Sequence, residues 1–184
     1  MELAKTYFDV REYRRAAHLL TTCSSHRAVF LRGYSLYLAG EKRKEDLHIE
    51  SPGSSGASKS SAAGDANSEL KTLYRQFSDA HKAVSLDGLG LYLYGIVLKA
   101  LQLHTEARSV LQESVAVFPL NWGAWLELAS LCHSPQQVSE LTLPEHWIKA
   151  FFTAHTELEL QGNKKALVLY QSLQVRPMAL HHRP

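Results

Sequence analysis

A pattern of large and small residues that recurs along the chain constrains its fold most strongly. The string LYLYGIVL at Leu91–Leu98 is followed 34 residues later by WLELASLC at Trp125–Cys132, and both carry large, small and apolar residues at the same offsets. A period of this length is typical of stacked pairs of antiparallel helices. One pair cannot bury its apolar face alone, so neighbouring pairs must stack. The prediction is an all-α helical solenoid.

Further copies lie on both sides of these two strings. Ala107 and Pro119 follow Leu91–Leu98 at the spacing of a tetratricopeptide repeat, which the chain therefore resembles. A copy without its front opens the chain, another begins at Phe30, and one more begins at Phe151. We expect about six to eight helices joined by short turns.

Helix ends can be placed at a few residues. Asp87 is a predicted N-cap, and Gly40 and Gly162 stand where helices are expected to stop. Gly162 is followed by Asn163, a good helix start, so this dipeptide predicts the tight turn of a helical hairpin.

A Ser- and Gly-rich stretch interrupts the repeats. Residues 51–68 contain seven serines, three glycines and no large apolar side chain, so they cannot offset the entropy of ordering. Ser51 precedes a proline there and is a candidate phosphorylation site. The predicted organisation is N-terminal helical repeats over 1–40 (the first truncated), a disordered insert over 41–68, helical repeats over 69–173 and a divergent tail over 174–184.

Composition and charge argue against two classes of partner, nucleic acids and membranes. Lys plus Arg number 20 against 18 Asp plus Glu, a net charge of +2 that argues against a dedicated nucleic-acid binder. The apolar run Gly88–Leu98 has 11 residues, whereas a bilayer span needs about 20. The charged N-terminus lacks the apolar core of a signal peptide. We expect an intracellular protein with neither nucleic-acid nor membrane partners.

Catalytic and metal-binding patterns are not found. The glycines of Gly88–Gly95 do not have the dinucleotide-binding spacing, and the ten histidines form no His-Glu-x-x-His pair. Cys23 and Cys132 form no paired motif, which excludes a disulfide scaffold or a structural zinc site. Cys132 falls on a repeat position and is expected to be a buried thiol, and Cys23 could be the same. The chain is predicted not to be an enzyme and to use no cofactor.

The first helix of each pair lines the concave groove of such an array. The candidate groove residues, one step from the packing positions, are Tyr92, Ile96, Lys99, Leu126 and Ser130. If exposed, Tyr92, Ile96 and Leu126 form an apolar stripe that marks a protein partner site. The alternative is that these side chains pack against neighbouring repeats, and the sequence leaves both open.

Particular strings resemble one family more specifically than the repeat does. LAKTYFDV at Leu3–Val10, DGLGLYLYG at Asp87–Gly95 and PLNWGAWLEL at Pro119–Leu128 are similar to subunit 8 of the anaphase-promoting complex, the cell-division-cycle-23 homologues. Leu143-Pro144 and Trp147 fit the same family. The resemblance covers roughly residues 2–173.

The resemblance implies a non-catalytic scaffold subunit of a cullin-type ubiquitin ligase that drives mitosis, located in the nucleus and cytoplasm. Family members form homodimers through their N-terminal repeats and stack with other subunits of the complex. Repeats beyond those present here hold the arginine-ended tails of coactivators in the family, so coactivator binding is not expected. The alternative is a generic tetratricopeptide-repeat adaptor that binds peptides, as co-chaperones do.

Overall fold

The computed structural model describes residues 1–50 and 68–175, and that part of the chain contains helices and their connections but no β-strand. The helices found there are α1 (Glu2–Asp9), α2 (Tyr13–Leu19), α3 (His26–Glu50), α4 (Ser68–Lys82), α5 (Gly88–Ala100), α6 (His104–Val117), α7 (Trp122–Ser130), α8 (Pro135–Ser139), α9 (Ile148–Glu159) and α10 (Asn163–Val175). The all-α prediction is confirmed for these residues. The described residues form ten helices, more than the six to eight expected. The difference arises because short segments, such as the five-residue α8, form helices of their own.

Two compact units make up the chain, Met1–Val110 and Leu111–Pro184, and the boundary between them falls inside α6. In the first unit α1 packs on α2, α2 packs on α3, and α3 packs on both α4 and α5. In the second unit α9 packs on α10 and on α7. Seven of the repeat positions in the two units are 5% exposed or less: Leu91, Leu98, Ala107, Trp125, Leu128, Ala154 and Ala166.

Helix α3 packs closely against its neighbours at Gly33. A Cβ atom at this position would lie 2.8 Å from Cδ2 of Leu93 and 3.1 Å from the ring of Phe77. Both neighbours are buried, with at most 1% of their surface exposed. The Phe77 ring stacks on Tyr94, with ring centroids 6.5 Å apart. Glycine at 33 is therefore what allows α3, α4 and α5 to meet.

The core of the second unit is built around one indole. Trp125 is fully buried, and its ring lies 5.2 Å from that of the equally buried Phe152, centroid to centroid. Between α7 and α9 comes the short helix α8, which begins with Pro135 and is capped by the Ser134 hydroxyl, an acceptor for the amide of Gln137.

Three helix pairs turn in the same way. The connections 10–12, 101–103 and 160–162 each place one residue in the left-handed region: Arg11 (φ 63°), Gln102 (φ 64°) and Gln161 (φ 63°). The next amide donates to the carbonyl five residues earlier, as Gly162 does to Glu157 at 2.8 Å. This is the hydrogen bonding of a Schellman motif. The predicted hairpin at Gly162 is confirmed, but the left-handed residue is Gln161.

The predicted insert starts too early. Helix α3 continues to Glu50, so Gly40 does not end it and residues 41–50 are helical. The cause is composition, because this segment is rich in Glu, Lys and Arg, which favour helix, and Lys44 pairs with Glu41 at 3.8 Å. Ser68 belongs to α4. Residues 51–67, including the candidate phosphorylation site Ser51, and the tail from residue 176 lie outside the described residues.

Candidate interaction surface

Two of the candidate groove residues line one concave surface in the second unit. Leu126 and Ser130, one turn apart on α7, border a cavity of about 430 Å³ whose opposite side includes His155 and Glu159 of α9. The buried Ala129 also lines it. We call this cavity the α7–α9 groove. In the repeat register α7 and α9 are first helices of successive pairs, which is where a concave binding surface was predicted.

The α7–α9 groove combines apolar and hydrogen-bonding groups. Leu126 is 38% exposed, so its side chain is available to a partner. The Ser130 hydroxyl donates to the Glu127 carbonyl at 2.7 Å. The imidazole of His155 lies 6.0 Å from the ring of Trp122, centroid to centroid. Such a lining suits a peptide that offers one apolar side chain and polar main-chain groups.

The other three candidate groove residues lie on α5, in the first unit. Tyr92 and Lys99 are half-buried. Ile96 is only 6% exposed, so the expectation that it contributes to an exposed stripe is wrong. Helix α5 is buried on nearly every face, since all residues from Leu93 to Leu98 are buried. For Ile96 the structure favours the alternative of packing against neighbouring helices.

Burial on α5 also changes the chemistry of one phenol. Desolvation raises the pKa of the Tyr94 hydroxyl above its ordinary value of 10.0, although a hydrogen bond with Ser78 acts in the opposite direction. Tyr94 lies next to His81 as well, with ring centroids 5.5 Å apart. The Tyr94 hydroxyl therefore stays neutral at physiological pH and serves packing.

An exposed aromatic surface was not singled out from the sequence as a binding site. Leu120, Trp122, Trp147 and Phe151 border a cavity of about 290 Å³ with an almost wholly apolar lining. Trp147 is 54% exposed and packs edge-on against Phe151 at 5.7 Å. We call these four residues the tryptophan patch. The sequence did contain a signal for this patch, because Trp122 and Trp147 are large aromatic residues that do not occupy repeat positions.

The cysteines behave differently from each other. Cys132 is buried and its thiol donates to the Leu128 carbonyl at 3.3 Å, as predicted for a packing residue. Cys23 is exposed, so the suggestion that it is buried too is wrong.

Among residues 1–50 and 68–175, no three His, Cys, Asp or Glu side chains could hold a metal ion. Within the same residues, no helix has the length and apolar character required to cross a bilayer.

Comparison with known proteins gives a consistent result. The family model described as "Anaphase promoting complex subunit 8 / Cdc23" matches residues 1–175. The chain is 48% identical over 173 residues to the cell division cycle protein 23 homolog of Homo sapiens, which covers 93% of this chain and 28% of that protein. It is 48% identical over 172 residues to anaphase-promoting complex subunit 8 of Arabidopsis thaliana, with 94% of this chain and 29% of that protein covered.

A more distant relative shows the same relationship. Anaphase-promoting complex subunit 8 of Dictyostelium discoideum is 36% identical over 211 residues, which include 93% of this chain and 36% of that protein. The chain thus spans between a quarter and two fifths of the length of these curated relatives.

Proposed function

Because the chain belongs to the anaphase-promoting complex subunit 8 / Cdc23 family, we propose that it is a non-catalytic scaffold within that complex, a cullin-type ubiquitin ligase of mitosis. The match over residues 1–175 carries the proposal, since it extends through both units and includes their buried repeat positions. Stacked helix pairs provide long surfaces for other proteins, and this is how repeat proteins generally act. Its partners are then other subunits of the complex.

The contacts with those subunits are assigned to the α7–α9 groove. Leu126 presents an exposed apolar side chain there, beside the polar groups of Ser130 and His155. Apolar side chains surrounded by polar groups are typical of protein interfaces. Tyr92 and Lys99 on α5 are half-buried and remain candidates for a second contact in the first unit.

Co-purification tests the scaffold role. The tagged chain, expressed in dividing cells, is expected to co-purify with other subunits of the complex. The variant Leu126→Glu should lose most of these subunits, because it places a charge in the groove. Leu47→Glu is the matched control, since Leu47 is similarly exposed (48% against 38%) but lies on α3. If the unmodified chain retains no subunit, the scaffold role is wrong.

Homodimerisation and location are parts of the same proposal. Light scattering behind a sizing column should give a dimer whose mass does not change with concentration, and fluorescence microscopy should find the chain in nucleus and cytoplasm. A monomer that binds peptides through their terminal carboxylate would instead favour the generic adaptor, or co-chaperone, interpretation.

A further inference from the structure

A polar cavity of about 550 Å³ lies in the first unit, where the start of α2 meets the later part of α3. Four cationic residues line it: Arg11 and Arg14 near the start of α2, and Lys42 and Arg43 on α3. We call it the basic groove. Helix α2 packs on α3, and Ala39 of α3 is only 8% exposed. Lys42 and Arg43 follow Ala39 by about one helical turn, so their side chains border the groove.

Most of this positive charge is not neutralised. Arg14 pairs with Glu69 at 2.6 Å, whereas Arg11, Lys42 and Arg43 form no ion pair with the residues that the structure describes. Two acidic residues also line the groove. The Glu12 carboxylate lies 3.8 Å from Arg15, and Asp46 has no ion-pair partner among the described residues. Three unpaired cations thus face one unpaired carboxylate.

We propose that the basic groove binds an acidic, Asp- and Glu-rich segment of a partner protein. Guanidinium groups match carboxylates geometrically and can bind them through two parallel hydrogen bonds. A single exposed ion pair contributes little, but cations converging from two elements on one concavity act together and also speed association. This surface belongs to the first unit, whereas the α7–α9 groove belongs to the second, and the proposal does not depend on the scaffold role.

The same charges disfavour a nucleic acid as the ligand. Phosphates repeat evenly along a strand and need a continuous positive surface. Here Glu12 and Asp46 interrupt the lining, and the net charge of the whole chain is only +2. A short acidic peptide can place its carboxylates on the cations and avoid both acids.

Fluorescence anisotropy with the purified full chain tests this proposal. The probe is the fluorescein-labelled peptide Gly-Glu-Glu-Asp-Glu-Gly with an amidated C-terminus, so that a terminal carboxylate plays no part. The control probe is Gly-Gln-Gln-Asn-Gln-Gly. The acidic probe should bind, the neutral probe should not, and binding should weaken as salt rises. The double variant Lys42→Gln/Arg43→Gln should bind about tenfold more weakly.

Arg27→Gln provides the matched control. Arg27 is exposed on the same helix, 15 residues before Lys42, which places it about 22 Å away along the axis. This variant should bind like the unmodified chain, and circular dichroism should show equal helix content in every variant. The proposal is overturned if both probes bind equally, if the double variant binds unchanged, or if Arg27→Gln loses as much affinity. Tighter binding of a phosphoserine peptide or of single-stranded DNA would also overturn it.

Discussion

The indole nitrogen of Trp125 donates a hydrogen bond to the carbonyl oxygen of Pro119, 2.8 Å away. Trp125 is fully buried, and a buried indole N–H needs an acceptor. The bond joins the turn before α7 to the centre of the second unit. One side chain therefore fixes both the packing of α7 and the path of the chain that leads into it.

Trp125→Phe should destabilise the second unit. It removes the hydrogen bond to Pro119 and leaves unfilled space beside Phe152, at a cost of about 2–3 kcal/mol. Urea unfolding followed by circular dichroism measures the change. Trp122→Phe is the control, because Trp122 is 37% exposed and should cost no more than about 0.5 kcal/mol. Equal effects in the two variants would contradict the role given to Trp125.

Gly33→Ala should destabilise the first unit, although alanine favours helix over glycine by about 1 kcal/mol. The new methyl group would lie 2.8 Å from Leu93 and 3.1 Å from Phe77. These buried side chains cannot move aside freely, and overpacking costs about 1–3 kcal/mol. The expected net loss is therefore about 1 kcal/mol in chemical denaturation. A gain in stability would show that α3 is not held closely against α4 and α5.

Val84→Gly should stabilise the protein by about 1 kcal/mol. Val84 follows α4 with φ 51°, a left-handed conformation that is costly for a β-branched residue. Its side chain is 90% exposed, so its removal sacrifices little packing. Calorimetry should give a melting temperature about 2–4 °C higher.

The comparison variant for this gain is Val117→Gly. Val117 is the last residue of α6 and is also exposed, at 62%, but it is not in the left-handed region. Glycine there should lower stability by about 0.5–1 kcal/mol. Stabilisation of both variants would mean that backbone strain at Val84 is not the cause.

Stability should fall at alkaline pH because of Tyr94. Its pKa is raised above 10.0 in the folded chain by burial, so the unfolded chain loses this proton first. The contribution of Tyr94 is complete below pH 10 and is lost as the pH rises through the folded-state pKa. Urea unfolding across this range should show a shallower decline for Tyr94→Phe. An equally steep decline in Tyr94→Phe and in the unmodified chain would contradict this role of Tyr94.

Features fixed by neighbouring residues were predictable from the sequence. Asp87 caps α5 as expected, accepting the Gly90 amide at 2.8 Å. Trp125 and Leu128 are buried at their repeat positions. Both results depend on periodicity or on contacts within one turn of helix, which a sequence displays directly.

Features fixed by the number of neighbours around a helix were not predictable. Ile96 occupies what the repeat register makes a groove position, yet it is buried because α5 is enclosed on nearly every face. Leu158 continues an apolar series but is 46% exposed. The end of α3 was predicted at Gly40 for another reason. The charged residues after Gly40 favour a helix, but a run of mixed charge is also typical of the start of a linker.

The contacts of α4 in the first unit determine whether the chain can be cut before this helix and still assemble. Leu73 and Phe77 anchor this helix in the core, and Glu69 at its start pairs with Arg14, so its place is set by contacts distant in sequence. A split protein made of residues 1–50 and 68–184 should therefore reassemble on mixing. The long-range contacts of α4 would then hold the two pieces together.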